Sequence, residues 1–101
     1  MDLSEQQVAA IVTWARMTTK IGAAILFGSR AKGTSRPDSD VDLALLIDDL
    51  DPLHVFLMEG EQWQNTLKDA TGLLVHIELI APEHDKVRSY IDECSIELFR
   101  R

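Results

Sequence analysis

The sequence predicts an α/β fold in which helices pack on a small sheet. Short apolar runs such as Ala23 to Phe27 and Leu43 to Ile47 have the character of strands buried on both faces, the usual case in a sheet covered by helices. Longer segments with apolar residues at helical spacing lie before and between these runs. Glycine and proline sit between the elements, where turns belong. At 101 residues the chain suffices for one domain, residues 1–101, with one core.

In chain order, Ser4 with Gln7 three residues on has the pattern of a capping box. Val8, Ile11, Val12 and Ala15 follow at helical spacing, which predicts a helix from residue 4 to residue 18. Trp14, one step off that stripe, is expected to be partial core. Ala23 to Phe27 is the first strand, closed by Gly28. Ser29 to Lys32 reads as a helical turn, and Gly33 to Asp38 as loop, because Pro37 forbids an ordinary helix there. Val41 to Ile47 is the second strand. Asp48, Asp49 and Asp51 make a solvated turn leading to a helix N-terminus, with Pro52 in its first turn. Leu53, Phe56, Leu57, Trp63 and Leu67 supply an intermittent apolar stripe, and Gly60 is the point where this helix is expected to weaken or break. Leu73 to Ile80 is the third strand, with Val75, Ile77 and Leu79 on one face and His76 and Glu78 on the other. Pro82 opens a final helix carrying Val87, Tyr90 and Ile91. The tail SIELFRR is either a closing strand or an apolar tether.

Composition narrows the function. A net charge of −7 makes the chain a poor candidate for gripping a long nucleic-acid backbone by itself. It suits a basic partner, or an anionic substrate that arrives with a divalent cation. The lone cysteine, Cys94, cannot form an internal disulfide and is expected to be a small apolar side chain. The N-terminal MDLSEQQ lacks the layout of a signal peptide, and no apolar run reaches the roughly 18 residues that span a bilayer. The expected location is the cytoplasm, away from any membrane.

The chemistry is expected in the stretch FGSRAKGTSRPDSDVDL, Phe27 to Leu43. Glycine at Gly28 permits a tight turn and close approach of a phosphate. Ser29 offers a hydroxyl and a backbone N–H at a helix start, where anions are favoured. Arg30, Lys32 and Arg36 add positive charge. Alone, this would be a plain turn with solvated basic residues. Asp40 and Asp42 change that reading. They face the same way at the entrance of a strand, where two carboxylates can share one divalent cation or a pair. Glu78, a lone acid on the outer face of the third strand, is the candidate third carboxylate, and His76 is its rival on that face, though imidazole is a poorer partner for Mg2+. Asp38 reads as turn chemistry only. Two other motifs fail. Gly28 to Gly33 has the glycine spacing of a Walker A loop, but Thr34 stands where its lysine belongs. DSDVD resembles the opening of an EF-hand, but Leu43 replaces the required glycine.

Gly28-Ser29 followed by Asp40-Val41-Asp42, in the context GSRAKGTSRPDSDVDLAL, resembles the signature of the polymerase-beta-like nucleotidyltransferase superfamily. Chain length, layout and the ending IDECSIELF resemble its minimal nucleotidyltransferase (MNT) branch. The resemblance implies a small mixed sheet with helices packed on it. It also implies metal-dependent transfer of a nucleoside monophosphate, usually AMP from ATP, onto a hydroxyl. It assigns Asp40, Asp42 and Glu78 to catalysis and to Mg2+, one ion or two, and it assigns Gly28 and Ser29 to the nucleotide, with Arg30 or Lys32 assisting. MNT proteins are commonly antitoxins that adenylylate a tyrosine on a HEPN-domain toxin, so such a partner is expected, with oligomeric state open. The chain carries no evident domain for holding a separate acceptor, which fits an acceptor supplied by a partner. Two alternatives remain: an antitoxin that neutralises its partner by contact alone, and transfer to a small-molecule hydroxyl.

Overall fold

The computed structural model describes residues 1–80 and 94–101. Ser4 caps α1 (Glu5–Met17): its Oγ accepts from the Gln7 N–H at 3.0 Å, and Gln7 Oε1 accepts from the Ser4 N–H at 2.9 Å. At the other end, the Arg101 guanidinium donates to the carbonyls of Ala15 at 3.0 Å and Arg16 at 3.1 Å, satisfying acceptors that a helix leaves open. The strand β1 (Ile21–Phe27) contains the apolar run Ala23 to Phe27. It is followed by α2 (Ser29–Lys32), one helical turn, and by β2 (Val41–Ile47).

The helix α3 (Pro52–Thr71) begins at Asp51, whose Oδ1 accepts from the His54 N–H at 3.2 Å, with Pro52 in the first turn. It runs through Gly60 without a break, contrary to the expected weak point. The reason is tertiary: Gly60 is buried against β3 (Val75–Leu79), and a Cβ there would lie 3.5 Å from Ile77 Cδ1. Packing against the sheet outweighs the intrinsic helix cost of one glycine. The tail forms β4 (Ile96–Arg100), which resolves the choice between strand and tether. The expected helix from Pro82, with Val87, Tyr90 and Ile91, lies outside the described residues.

The strands form one sheet in the order β3-β2-β1-β4. β1 pairs antiparallel with β2 and β4, and β2 pairs parallel with β3 across the α3 crossover, so the sheet is mixed. α1 and α3 pack on the sheet and on each other. Ile11, Trp14, Leu26, Leu43, Leu45, Trp63, Leu67 and Ile77 are buried between them. Trp14 and Trp63 meet edge to face, with ring centroids 5.9 Å apart. The odd-numbered residues of β2 point into this core. Its even-numbered residues, beginning with Asp42, point to the opposite face of the sheet. Among the described residues no helix is long and apolar enough to cross a membrane.

Candidate active site

Pairing register builds the site. Asp42 opens β2, opposite Phe27 at the end of β1 and beside His76 on β3. The chain leaves Phe27 through Gly28, whose φ is +76°, a left-handed conformation natural only to glycine. A Cβ on Gly28 would run into the Asp42 carboxylate. The first and last parts of the motif, 14 positions apart, are therefore in contact, and only the absence of a side chain allows it.

Burial pushes the Asp42 carboxyl above its ordinary pKa; His76 opposes the shift, and the charges of Asp40 and Glu78 add to it. Asp42 thus feels both of the other acids expected from the sequence. Asp40 is exposed, and Asp42 and Glu78 are half-buried. Glu78 lies one pleat beyond the level of Asp42, alongside Ala44, while His76 holds the place directly next to Asp42. His76 Nε2 and Glu78 Oε1 are 2.7 Å apart. Among the described residues no three His, Cys, Asp or Glu side chains converge on a point that would hold a metal ion.

The donor set nevertheless fits a hard divalent cation. It is built of carboxylate oxygens, and burial and the neighbouring acids Asp40 and Glu78 raise the pKa of the half-buried Asp42, a charge that a cation would relieve. Ser29 opens α2, with its carbonyl accepting from the Thr34 N–H at 3.0 Å, and its hydroxyl makes no hydrogen bond among the described residues.

Arg30 departs from expectation. It is buried, 7% exposed, and its guanidinium is turned inward. Nε and Nη2 donate to the Ser39 carbonyl at 3.1 and 2.9 Å, and Nη1 donates to the Asp2 carbonyl at 2.8 Å. The guanidinium that the resemblance assigns to the nucleotide here holds backbone, its N–H groups met by main-chain carbonyls. Asp38 lies in an exposed turn, closed by the Ser39 N–H donating to the Arg36 carbonyl at 3.0 Å. The contribution of Asp2 was not visible in the sequence. It lies 28 positions from Arg30 and 33 from Ser35, and no local pattern joins them.

The fold has solved counterparts. A toxin–antitoxin complex with AMP-PNP superposes with a TM-score of 0.73 at 22% identity, over 93% of this chain and 73% of that one. The MntA–HepT toxin–antitoxin gives 0.69 at 18%, over 97% and 74%. The tri-AMPylated HEPN toxin of Shewanella oneidensis in complex with MNT antitoxin gives 0.66 at 18%, over 94% and 71%. At these identities the likeness is one of fold. No curated protein matches by sequence. The family model described as "Polymerase beta, Nucleotidyltransferase" matches residues 9–101, nearly the whole chain, and the chain belongs to the polymerase beta nucleotidyltransferase family.

Proposed function

We propose that this protein is a metal-dependent nucleotidyltransferase of the MNT branch. In this reading it transfers AMP from ATP to a hydroxyl, a tyrosine of a HEPN-domain toxin, and acts in the cytoplasm as the antitoxin. The observation that carries the reading is the contact of the Gly28 turn with Asp42, which brings the two ends of the motif together at a carboxylate whose pKa burial raises. Support for the acceptor and the nucleotide comes from the similar folds, which are complexes with AMP-PNP and with an AMPylated HEPN toxin.

Asp40, Asp42 and Glu78 would hold Mg2+, which when bound neutralises triphosphate charge and favours the ionised hydroxyl. The turn at Gly28 and Ser29 orients the triphosphate. The acceptor oxygen attacks the α-phosphorus in line, the new P–O bond forms, and the bond to pyrophosphate breaks. The carboxylate of Glu78 takes the hydroxyl proton. The protein's contribution is mainly orientation and charge placement, as expected for transfer at phosphorus.

A second reading, neutralisation by contact alone, is favoured by the exposed apolar residues Leu50, Leu53, Leu57 and Met58 around the start of α3. One experiment separates the two. The protein is incubated with Mg2+, α-labelled ATP and the HEPN-domain partner. Label is expected on the partner, and it is lost in Asp42→Asn along with neutralisation. Full neutralisation by Asp42→Asn without label transfer would overturn the catalytic reading.

A further inference from the structure

We propose that Arg30 and Asp2 form a brace that fixes the loop of residues 33–40 and thereby positions Asp40 and Asp42 against the Gly28 turn. The role given to these carboxylates rests on the nucleotidyl-transfer reading above. Arg30 is then a positioning residue of the site and not a nucleotide ligand.

The loop between α2 and β2 has no regular structure, yet it delivers Asp40, the first carboxylate of the pair. Two N–H groups of one guanidinium meet the carbonyl of Ser39, the residue before Asp40. A longer contact, 3.4 Å, reaches the Pro37 carbonyl. All acceptors are main-chain carbonyls, so the brace follows the path of the backbone. A buried guanidinium is costly unless its donors are met. A planar fork meets several carbonyls at once, which a lysine ammonium does not.

Asp2 completes the brace from the other side. Its N–H donates to the Arg30 carbonyl at 2.7 Å, in return for the bond from Arg30 Nη1 to the Asp2 carbonyl. Its carboxylate accepts from the Ser35 N–H at 3.1 Å and the Ser35 hydroxyl at 2.7 Å. These bonds hold the Asp2 carboxyl below its usual pKa. The loop is thus tied at Ser35, Pro37 and Ser39. On the far side of Asp40, the Val41 N–H donates to the Leu74 carbonyl at 2.8 Å, so Asp40 lies between two anchored residues. At its other end Arg30 is two residues from Gly28, which touches Asp42. One side chain therefore joins both halves of the motif.

Full-length wild type, Arg30→Lys, Asp2→Ala and Asp2→Asn are compared by Mn2+ titration, by circular dichroism, and by kcat and KM for ATP in the transfer assay. Misplaced catalytic groups cost rate steeply, so Arg30→Lys is expected to fold, bind Mn2+ about tenfold more weakly and lose at least as much in kcat, with KM for ATP little changed. Asp2→Ala is expected to shift both quantities the same way by less. Asp2→Asn, whose amide oxygen still accepts from Ser35, recovers most of that loss. Unchanged Mn2+ affinity in both Arg30→Lys and Asp2→Ala overturns the proposal. So does a rise in KM for ATP with kcat and Mn2+ affinity intact, which would make Arg30 a nucleotide ligand. If Arg30→Lys does not fold, the Mn2+ affinity of Asp2→Ala decides. Wild type that binds Mn2+ but transfers no label sinks the transfer reading and leaves the brace to be judged by Mn2+ alone. Wild type that binds no Mn2+ overturns both.

Discussion

Asp42 illustrates the conflict between stability and chemistry at a single residue. Its folded-state pKa is raised by burial and by Asp40 and Glu78. The unfolded chain therefore releases this proton at lower pH than the native one, and the ionised carboxylate opposes folding at neutral pH. Asp42→Asn is expected to raise the thermal midpoint at pH 7 while abolishing label transfer. The gain should vanish as pH falls below the ordinary aspartate value, about 3.9, where both states are protonated. Thermal melts of both proteins across pH check this. Gly28 is constrained twice, by φ and by the Asp42 carboxylate. Gly28→Ala should cost about 1–3 kcal/mol in denaturant unfolding and remove transfer activity. Glu78→Gln and His76→Asn decide which group on β3 completes the site: transfer rates should fall by about a hundredfold in the first and by much less in the second.

At the scale of elements, α3 shows how far packing governs. Gly60 sits in its interior, and the added methyl of Gly60→Ala would meet Ile77 at ordinary contact distance. The substitution is expected to stabilise by about 0.5–1 kcal/mol, measured by urea titration, with activity unchanged. The helix was legible from its apolar stripe and from Asp51-Pro52 at its start. Its continuity through Gly60 was not, because intrinsic propensity points to weakness there and only the neighbouring strand reverses it. The α2–β2 loop differs again. Its turn residues were readable, but its shape is held by Arg30 and Asp2 through bonds that span up to 33 positions.

For the whole molecule, the sheet places the candidate site and the core on opposite faces. The odd residues of β2 enter the core with Trp14 and Trp63, and the even residues begin with Asp42. Binding of Mg2+ and ATP at the Asp42 face should therefore stabilise the whole domain by mass action. A hundredfold excess over Kd corresponds to about 2.7 kcal/mol, read as a rise in Tm. The rise should be absent in Asp42→Asn.

The sequence by itself determined the strands β1 to β3, the helix α1, and the approach of the Gly28 turn to Asp42. Each of these is a local signal: apolar runs, helical spacing, a capping box, alternation along a strand. It also supported the family, since the motif is contiguous. The tertiary structure alone decided what depends on register and on distance along the chain. It set His76 rather than Glu78 directly beside Asp42, made the SIELFRR tail a strand against β1, and turned Arg30 inward. A guanidinium in a sequence looks like surface charge, and only the carbonyls gathered around it reveal a buried fastening.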